Sequence, residues 1–95
     1  MPSMNHLSKN NTTLANRNGI RVLTLHSTEI VHHNPATGEV TLNSGGYRTA
    51  TTKNRMNQYF NTRWLPLRVF QKGGEWFVRA TGIDLPFHDG MTVTV

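Results

Sequence analysis

The spacing of apolar and polar residues changes at Gly19. Residues 1–18 contain five asparagines and few strongly apolar side chains, so this segment cannot bury enough surface to offset the entropy of ordering it. The pattern therefore predicts a flexible N-terminal tail over residues 1–18. Over residues 19–95 the apolar residues recur closely enough to meet in one core, which predicts a single α+β domain.

Three strand patterns follow the predicted tail. Residues 20–26 and 29–33 are rich in β-branched and apolar side chains, and residues 39–43 alternate between apolar and polar positions. Pro35 and Gly38 supply the fixed and the positive backbone angles of a turn between the second and third patterns. These two strands are therefore expected to form a hairpin.

One segment has the periodicity of a helix. Met56, Tyr59, Phe60 and Arg63/Trp64 recur with the spacing of a single helix face and predict one apolar stripe. Thr51 or Thr52 is suited to be the N-cap. A proline that follows this stripe is expected to end the helix. At about 12 residues the helix is too short to persist alone, so its apolar face must pack on a sheet.

Two more strand patterns, residues 67–71 and 75–80, flank a Gly-Gly loop and predict a second hairpin. Residues 82–90 are expected to form a loop, and residues 91–95 a short terminal strand. The predicted order is β-β-β-α-β-β-β. It indicates an α+β fold with a small antiparallel sheet, either open or strongly curled, and one helix packed on a face.

Composition narrows the possible functions. The chain has 10 Lys and Arg against 5 Asp and Glu, a net charge of +5, which favours contact with a polyanion. It has no cysteine, which excludes disulfides, thiolate nucleophiles and cysteine zinc sites and favours the cytoplasm. No stretch is apolar enough for a transmembrane helix or a signal peptide, so we expect no membrane partner.

The positive charge is concentrated in one part of the chain. The 35-residue segment from Val40 to Gly74 has no Asp or Glu and carries six basic residues: Arg48, Lys53, Arg55, Arg63, Arg68 and Lys72. Cations and hydroxyls beside a helix N-terminus, with two glycines that allow close backbone approach, favour a phosphate site. The candidate nucleic-acid- or anion-binding residues are Ser44, Gly45, Gly46, Arg48, Thr51, Thr52, Lys53, Arg55, Arg63 and Arg68. The alternative is a turn and a capped helix with solvated basic residues.

Aromatic residues suggest a second way to bind nucleic acid. Phe70 and Phe77 can share one sheet face with Arg68 and Arg79, which resembles the stacking platforms that bind single strands. The alternative is that the aromatic residues form the core, which a domain of this size needs.

Patterns for catalysis and metal binding are weak. Adjacent His32 and His33 would point to opposite faces of a strand, so they cannot easily hold one metal ion together. The five acidic residues show no matched pair, and no activated nucleophile is recognisable. We therefore expect no enzyme activity, no metal and no cofactor.

Residues 44–60 read Ser-Gly-Gly-Tyr-Arg-Thr-Ala-Thr-Thr-Lys-Asn-Arg-Met-Asn-Gln-Tyr-Phe, and Asp89-Gly90-Met91 follows near the end of the chain. This pattern resembles a family of small proteins of tailed bacteriophages, over about residues 20–95. The resemblance implies expression in an infected bacterial cell, and therefore the host cytoplasm. It implies no biochemical activity.

Together these features predict a small non-enzymatic binding protein that contacts nucleic acid through the basic helix and loop. Two alternatives remain at this point. The chain could bind and modulate a host or viral protein, or it could be a virion or assembly component that forms a homo-oligomer.

Overall fold

In the computed structural model, which describes residues 11–95, eight strands surround one helix. The elements are β1 (Thr12–Arg17), β2 (Ile20–Leu25), β3 (Thr28–Asn34), β4 (Glu39–Leu42), α1 (Ala50–Thr62), β5 (Leu67–Lys72), β6 (Glu75–Ala80), β7 (Ile83–Pro86) and β8 (Met91–Thr94). The predicted α+β class with antiparallel strands is confirmed. The predicted order lacked β1 and β7.

The strands form two antiparallel sheets instead of the single predicted sheet. The larger has the order β1-β2-β3-β4-β8 and the smaller the order β5-β6-β7. Neither is closed or strongly curled, so the curled alternative is wrong. After β7 the chain returns to the larger sheet, where Val93 of β8 pairs with Val40 of β4.

Strand β1 lies inside the segment that was predicted to be a tail, so that prediction was wrong for residues 12–17. The missed signal is Asn18-Gly19, which joins β1 to β2 as a two-residue turn. Both residues have positive φ, 53° and 85°, as the tight turns that favour Asn-Gly require. The rest of the predicted tail, residues 1–10, lies outside the described residues.

Strand β7 lies in the segment that was predicted to be a loop. Thr81 and Gly82 form another two-residue turn with positive φ, 48° and 84°, and bring Leu85 opposite Val78. The strand was missed because it is only four residues long and ends at Pro86.

The helix lies against both sheets and completes the core. Met56, Tyr59 and Phe60 have no exposed surface, which confirms this part of the predicted stripe. Its continuation to Trp64 is wrong, because the helix ends before the C-cap Arg63 and the Trp64 side chain is 91% exposed. The N-cap is Thr49 and not Thr51 or Thr52, because the Thr49 side chain accepts a hydrogen bond from the backbone N–H of Thr52 at 3.2 Å.

A side-chain amide of the helix also covers the edge of β5. Asn57 donates from Nδ2 to the Val69 carbonyl at 2.9 Å and accepts from the Val69 N–H at 2.8 Å. The amide thus bonds to an edge strand as a neighbouring strand would. This contact occupies both backbone groups of Val69 on the edge of β5 that faces away from β6.

We predict that Asn57→Ala lowers the free energy of unfolding by about 1–3 kcal/mol, since it leaves a backbone donor and acceptor of Val69 without partners. Urea unfolding monitored by circular dichroism measures the change. Asn54→Ala is the matched control, because Asn54 is exposed on the same helix and Ala has the higher helix propensity. An equal loss in both variants would contradict this role of Asn57.

Candidate nucleic-acid interface

The loop before the helix holds an internal carboxylate. Ser44 is 1% exposed, and both its backbone N–H and its hydroxyl donate to Oδ1 of Asp89 at 2.7 Å. Gly46 N–H in turn donates to the Ser44 hydroxyl at 3.2 Å. Donors that the sequence analysis assigned to a phosphate are therefore bonded within the protein.

The ionisation of Asp89 fits this arrangement. Burial raises the pKa of Asp89, but hydrogen bonds from the Ser44 N–H and hydroxyl, with the charge of Arg48, outweigh burial and hold the pKa below its ordinary value of 3.8. Asp89 therefore stays charged at neutral pH and fixes the loop.

Gly45 is needed for packing against a side chain of this chain. It has φ of +64°, and an added Cβ would lie 2.8 Å from Cγ2 of Thr28. The sequence predicted that Gly45 lets an anion approach the backbone, but the Thr28 side chain lies there instead.

Two predicted cations lie together on an aromatic pair. The Arg48 guanidinium is 5.5 Å from the ring centre of Trp76 and 4.7 Å from that of Phe87. Lys53 Nζ lies 5.6 Å from the Trp76 ring and donates to Gln71 at 3.1 Å. These cation–π contacts cover buried rings, so both side chains contribute to the packing between helix and sheet.

The remaining predicted residues are dispersed. Arg55 donates to Thr12 of β1, so it points towards the larger sheet while Lys53 points towards the smaller. Arg68 is exposed on β5. The ten predicted residues therefore do not form one surface.

Predicted hydroxyls line an open cleft of about 490 Å³ between the β2–β3 turn and the start of the helix. Ser44, Thr51 and Thr52 contribute to it, together with Tyr47, which is largely exposed. Thr52 is buried beneath the N-cap. The Ser44 and Thr52 hydroxyls bond to Asp89 and Thr49 within the protein, so of these three residues Thr51 is the one whose side chain is exposed to the cleft.

A buried histidine–tyrosine pair lies at the other end of the helix. His33 Nδ1 is 2.6 Å from the Tyr59 hydroxyl, and the Arg63 guanidinium is 5.8 Å from the Tyr59 ring centre. Burial lowers the pKa of His33, and the charges of Arg21 and Arg63 lower it further. Burial also raises the pKa of Tyr59, so both groups stay neutral near pH 7.

The outer face of the smaller sheet presents an aromatic pair. Phe70 and Phe77 are directly opposite in register, half-buried, and stacked with ring centres 5.6 Å apart and an interplanar angle of 23°. Their neighbours on the strands, Val69 and Val78, are the buried residues that face the core. Assignment of these two aromatics to the core is therefore wrong, since they lie on the face opposite to it.

Basic residues border this pair. Arg68 and Arg79 face each other across β5 and β6, and Arg79 lies 5.0 Å from the Phe70 ring centre. Asp84 accepts from Arg79 Nε at 2.7 Å, which holds the guanidinium beside the ring. We call the set of Arg68, Phe70, Lys72, Phe77 and Arg79 the stacking face.

The part of the chain that the structure describes has neither a metal-binding cluster nor a membrane-spanning helix. Over residues 11–95 no three His, Asp or Glu side chains are grouped so that they could hold a metal ion. The single helix of these residues is too short and too polar to cross a membrane.

The chain matches one family of phage proteins. The sequence model of the family described as Kyanoviridae Gp96 protein matches residues 2–94, which confirms the resemblance to a phage family. No curated protein and no solved structure matches the chain.

We predict that Asp89→Ala lowers the free energy of unfolding by about 2–3 kcal/mol, because it leaves the buried N–H and hydroxyl of Ser44 without an acceptor. Thermal unfolding measures the loss. Asp84→Ala removes a carboxylate from an exposed ion pair and should change stability little. If Asp84→Ala destabilises as much as Asp89→Ala, the loop does not depend on this carboxylate.

We also predict that stability falls as the pH is lowered from 7.5 to 5.5. The pKa of His33 is lowered in the folded state, so below pH 6.5 the unfolded chain takes up a proton more readily than the native protein. Urea unfolding at several pH values gives the slope. In His33→Gln this part of the slope should vanish, and an unchanged slope would contradict the assignment.

Proposed function

We propose a function for a chain that belongs to the Kyanoviridae Gp96 family, a family of cyanophage proteins. In this proposal the protein has no catalytic activity and binds single-stranded nucleic acid through the stacking face. Its place of action is the cytoplasm of the infected cell.

The observation that carries the proposal is the outward-facing pair of Phe70 and Phe77. A small domain gains stability by placing its aromatic rings in the core, yet these two lie on the opposite face of the sheet. Rings on an open sheet face can stack with successive bases, and every base has a face that accepts such contact. The pair therefore favours a ligand with exposed bases over a duplex.

The charges around the rings support the same ligand. Over residues 11–95 Arg68 and Lys72 have no ion-pair partner, whereas Arg79 is paired with Asp84. Two unpaired cations beside two rings can contact phosphates while the rings contact bases. By contrast, Lys53 of the basic helix is bonded to Gln71 and rests on Trp76, which argues against the helix as the main contact.

A protein partner is the second candidate, and the edge of β7 favours it. No strand within residues 11–95 pairs with the outer edge of β7, and Ile83 at its start is 62% exposed. An extended segment of a host or viral protein could add to this edge. Binding of this kind would depend little on salt.

We predict that the protein binds a short single-stranded oligonucleotide more tightly than the same sequence as a duplex, measured by fluorescence anisotropy. Phe70→Leu with Phe77→Leu should weaken binding about tenfold or more, because stacking is worth about 1–3 kcal/mol per base. Leucine keeps the side chains apolar, so circular dichroism should show an intact fold. Wild-type affinity in the folded double variant would contradict the proposed face.

Two double variants that remove the same charge test whether nucleic acid contacts the stacking face or the helix. Arg68→Gln with Lys72→Gln should reduce the slope of log affinity against log salt by about 1.4, the value for two phosphate contacts to a single strand. Lys53→Gln with Arg55→Gln removes the same charge from the helix and should leave the slope nearly unchanged. The reverse result would move the interface to the helix.

A further inference from the structure

The residue that follows the end of the helix is a tryptophan in an unusual position. Trp64 is 91% exposed, the highest exposure of any large apolar side chain over residues 11–95. It comes directly after Arg63, the C-cap of α1. Full exposure of an indole gives the fold almost no packing energy.

The backbone of Trp64 is also strained. Its φ is +57°, in the left-handed region, and the next N–H, that of Leu65, donates to the carbonyl of Phe60 at 2.9 Å. Trp64 N–H itself donates to Asn61 at 3.3 Å. This is a helix end at which glycine is usual, because a Cβ is unfavourable there. Trp64 thus fails to stabilise the fold in two ways, since its backbone is strained and its indole is exposed. This combination is characteristic of residues kept for binding.

The indole borders an open cleft. Gln58, Asn61, Thr62 and Trp64 line an open space of about 410 Å³ on the outer side of the helix. Oε1 of Gln58 is buried and has no hydrogen-bond partner over residues 11–95. Buried acceptors of this kind are normally bonded. A small rotation of the amide would offer the oxygen to a donor in the cleft.

The chemistry of the cleft identifies the class of ligand. One free aromatic ring is accompanied by two side-chain amides and a hydroxyl, with no second apolar residue. A protein partner would bind best where an aromatic anchor lies within an apolar patch. A nucleobase needs one ring to stack upon and amide groups for its polar edge. The cleft therefore favours a base over a protein side chain.

We propose that Trp64, with Gln58 and Asn61, forms a pocket for one unpaired nucleobase. The indole stacks on the base, and the amides bond to its edge. The inference rests on the proposed function in that the ligand is single-stranded nucleic acid. The pocket shares no residue with the stacking face, so the two sites can be tested separately.

The test uses the full chain and a single-stranded DNA of about 12 nucleotides. The indole N–H signal of Trp64 is identified in nitrogen-15 NMR spectra by its absence from Trp64→Phe, and the DNA should shift it. Trp64→Gly should raise the unfolding temperature by a few degrees, because glycine relieves the strained φ, and yet weaken DNA binding about tenfold. Trp64→Phe keeps a ring and should lose much less affinity.

The variants of the two sites separate the possible results. If Trp64→Gly binds like the wild type while the Phe70/Phe77 double variant does not, the pocket is overturned and the stacking face stands. If only Trp64→Gly loses affinity, the pocket stands and the stacking face fails. A Trp64 signal that the DNA leaves unmoved overturns the pocket and leaves the indole for a protein partner. Absence of any DNA binding at low salt overturns both proposals.

Discussion

Two hydrogen bonds between the Asn57 amide and the backbone of Val69 join the helix to the edge of the smaller sheet. The same helix places Tyr59 and Phe60 in the core. One side of the helix thus packs on the larger sheet, while Asn57 bonds to the smaller. The amide takes the place of a neighbouring strand at Val69, on the edge of β5 that does not pair with β6. The outer face of the smaller sheet then lies away from the core, with its aromatic pair outward.

Much of this fold could be predicted from local sequence, and the misses have physical causes. The helix and its stripe followed from spacing alone, since three buried residues recur at the helical period. Strand β1 was not predicted because four of its six side chains are exposed. Its few apolar residues gave this segment the composition of a disordered one. The Asn18-Gly19 turn was the available signal for it. The separation into two sheets could not be predicted, since local patterns do not show which strands pair across the chain, as β4 does with β8.

The charge pattern of the sequence did not predict where the basic side chains lie in the fold. Lys53 and Arg55 are two positions apart in the sequence, and this spacing on a helix turns their side chains about 200° away from each other. The two side chains therefore contact different sheets. Asp89 bonds to Ser44 across 45 residues, and no local pattern foretells such a contact. The alternation of β5 and β6 did place Phe70 and Phe77 beside Arg68 and Arg79. Only the structure showed which face was buried.

The Asn57 contact also gives the smaller sheet a direction of growth. With the backbone N–H and carbonyl of Val69 in β5 already bonded, the open edge of the smaller sheet over residues 11–95 lies along β7. Endless stacking of one sheet requires two open edges, as in fibrils. Two copies of a sheet that each have one open edge can pair at those edges, and the pair then has no open edge left in that sheet. The Asn57 amide therefore limits pairing through the smaller sheet to one direction, along β7.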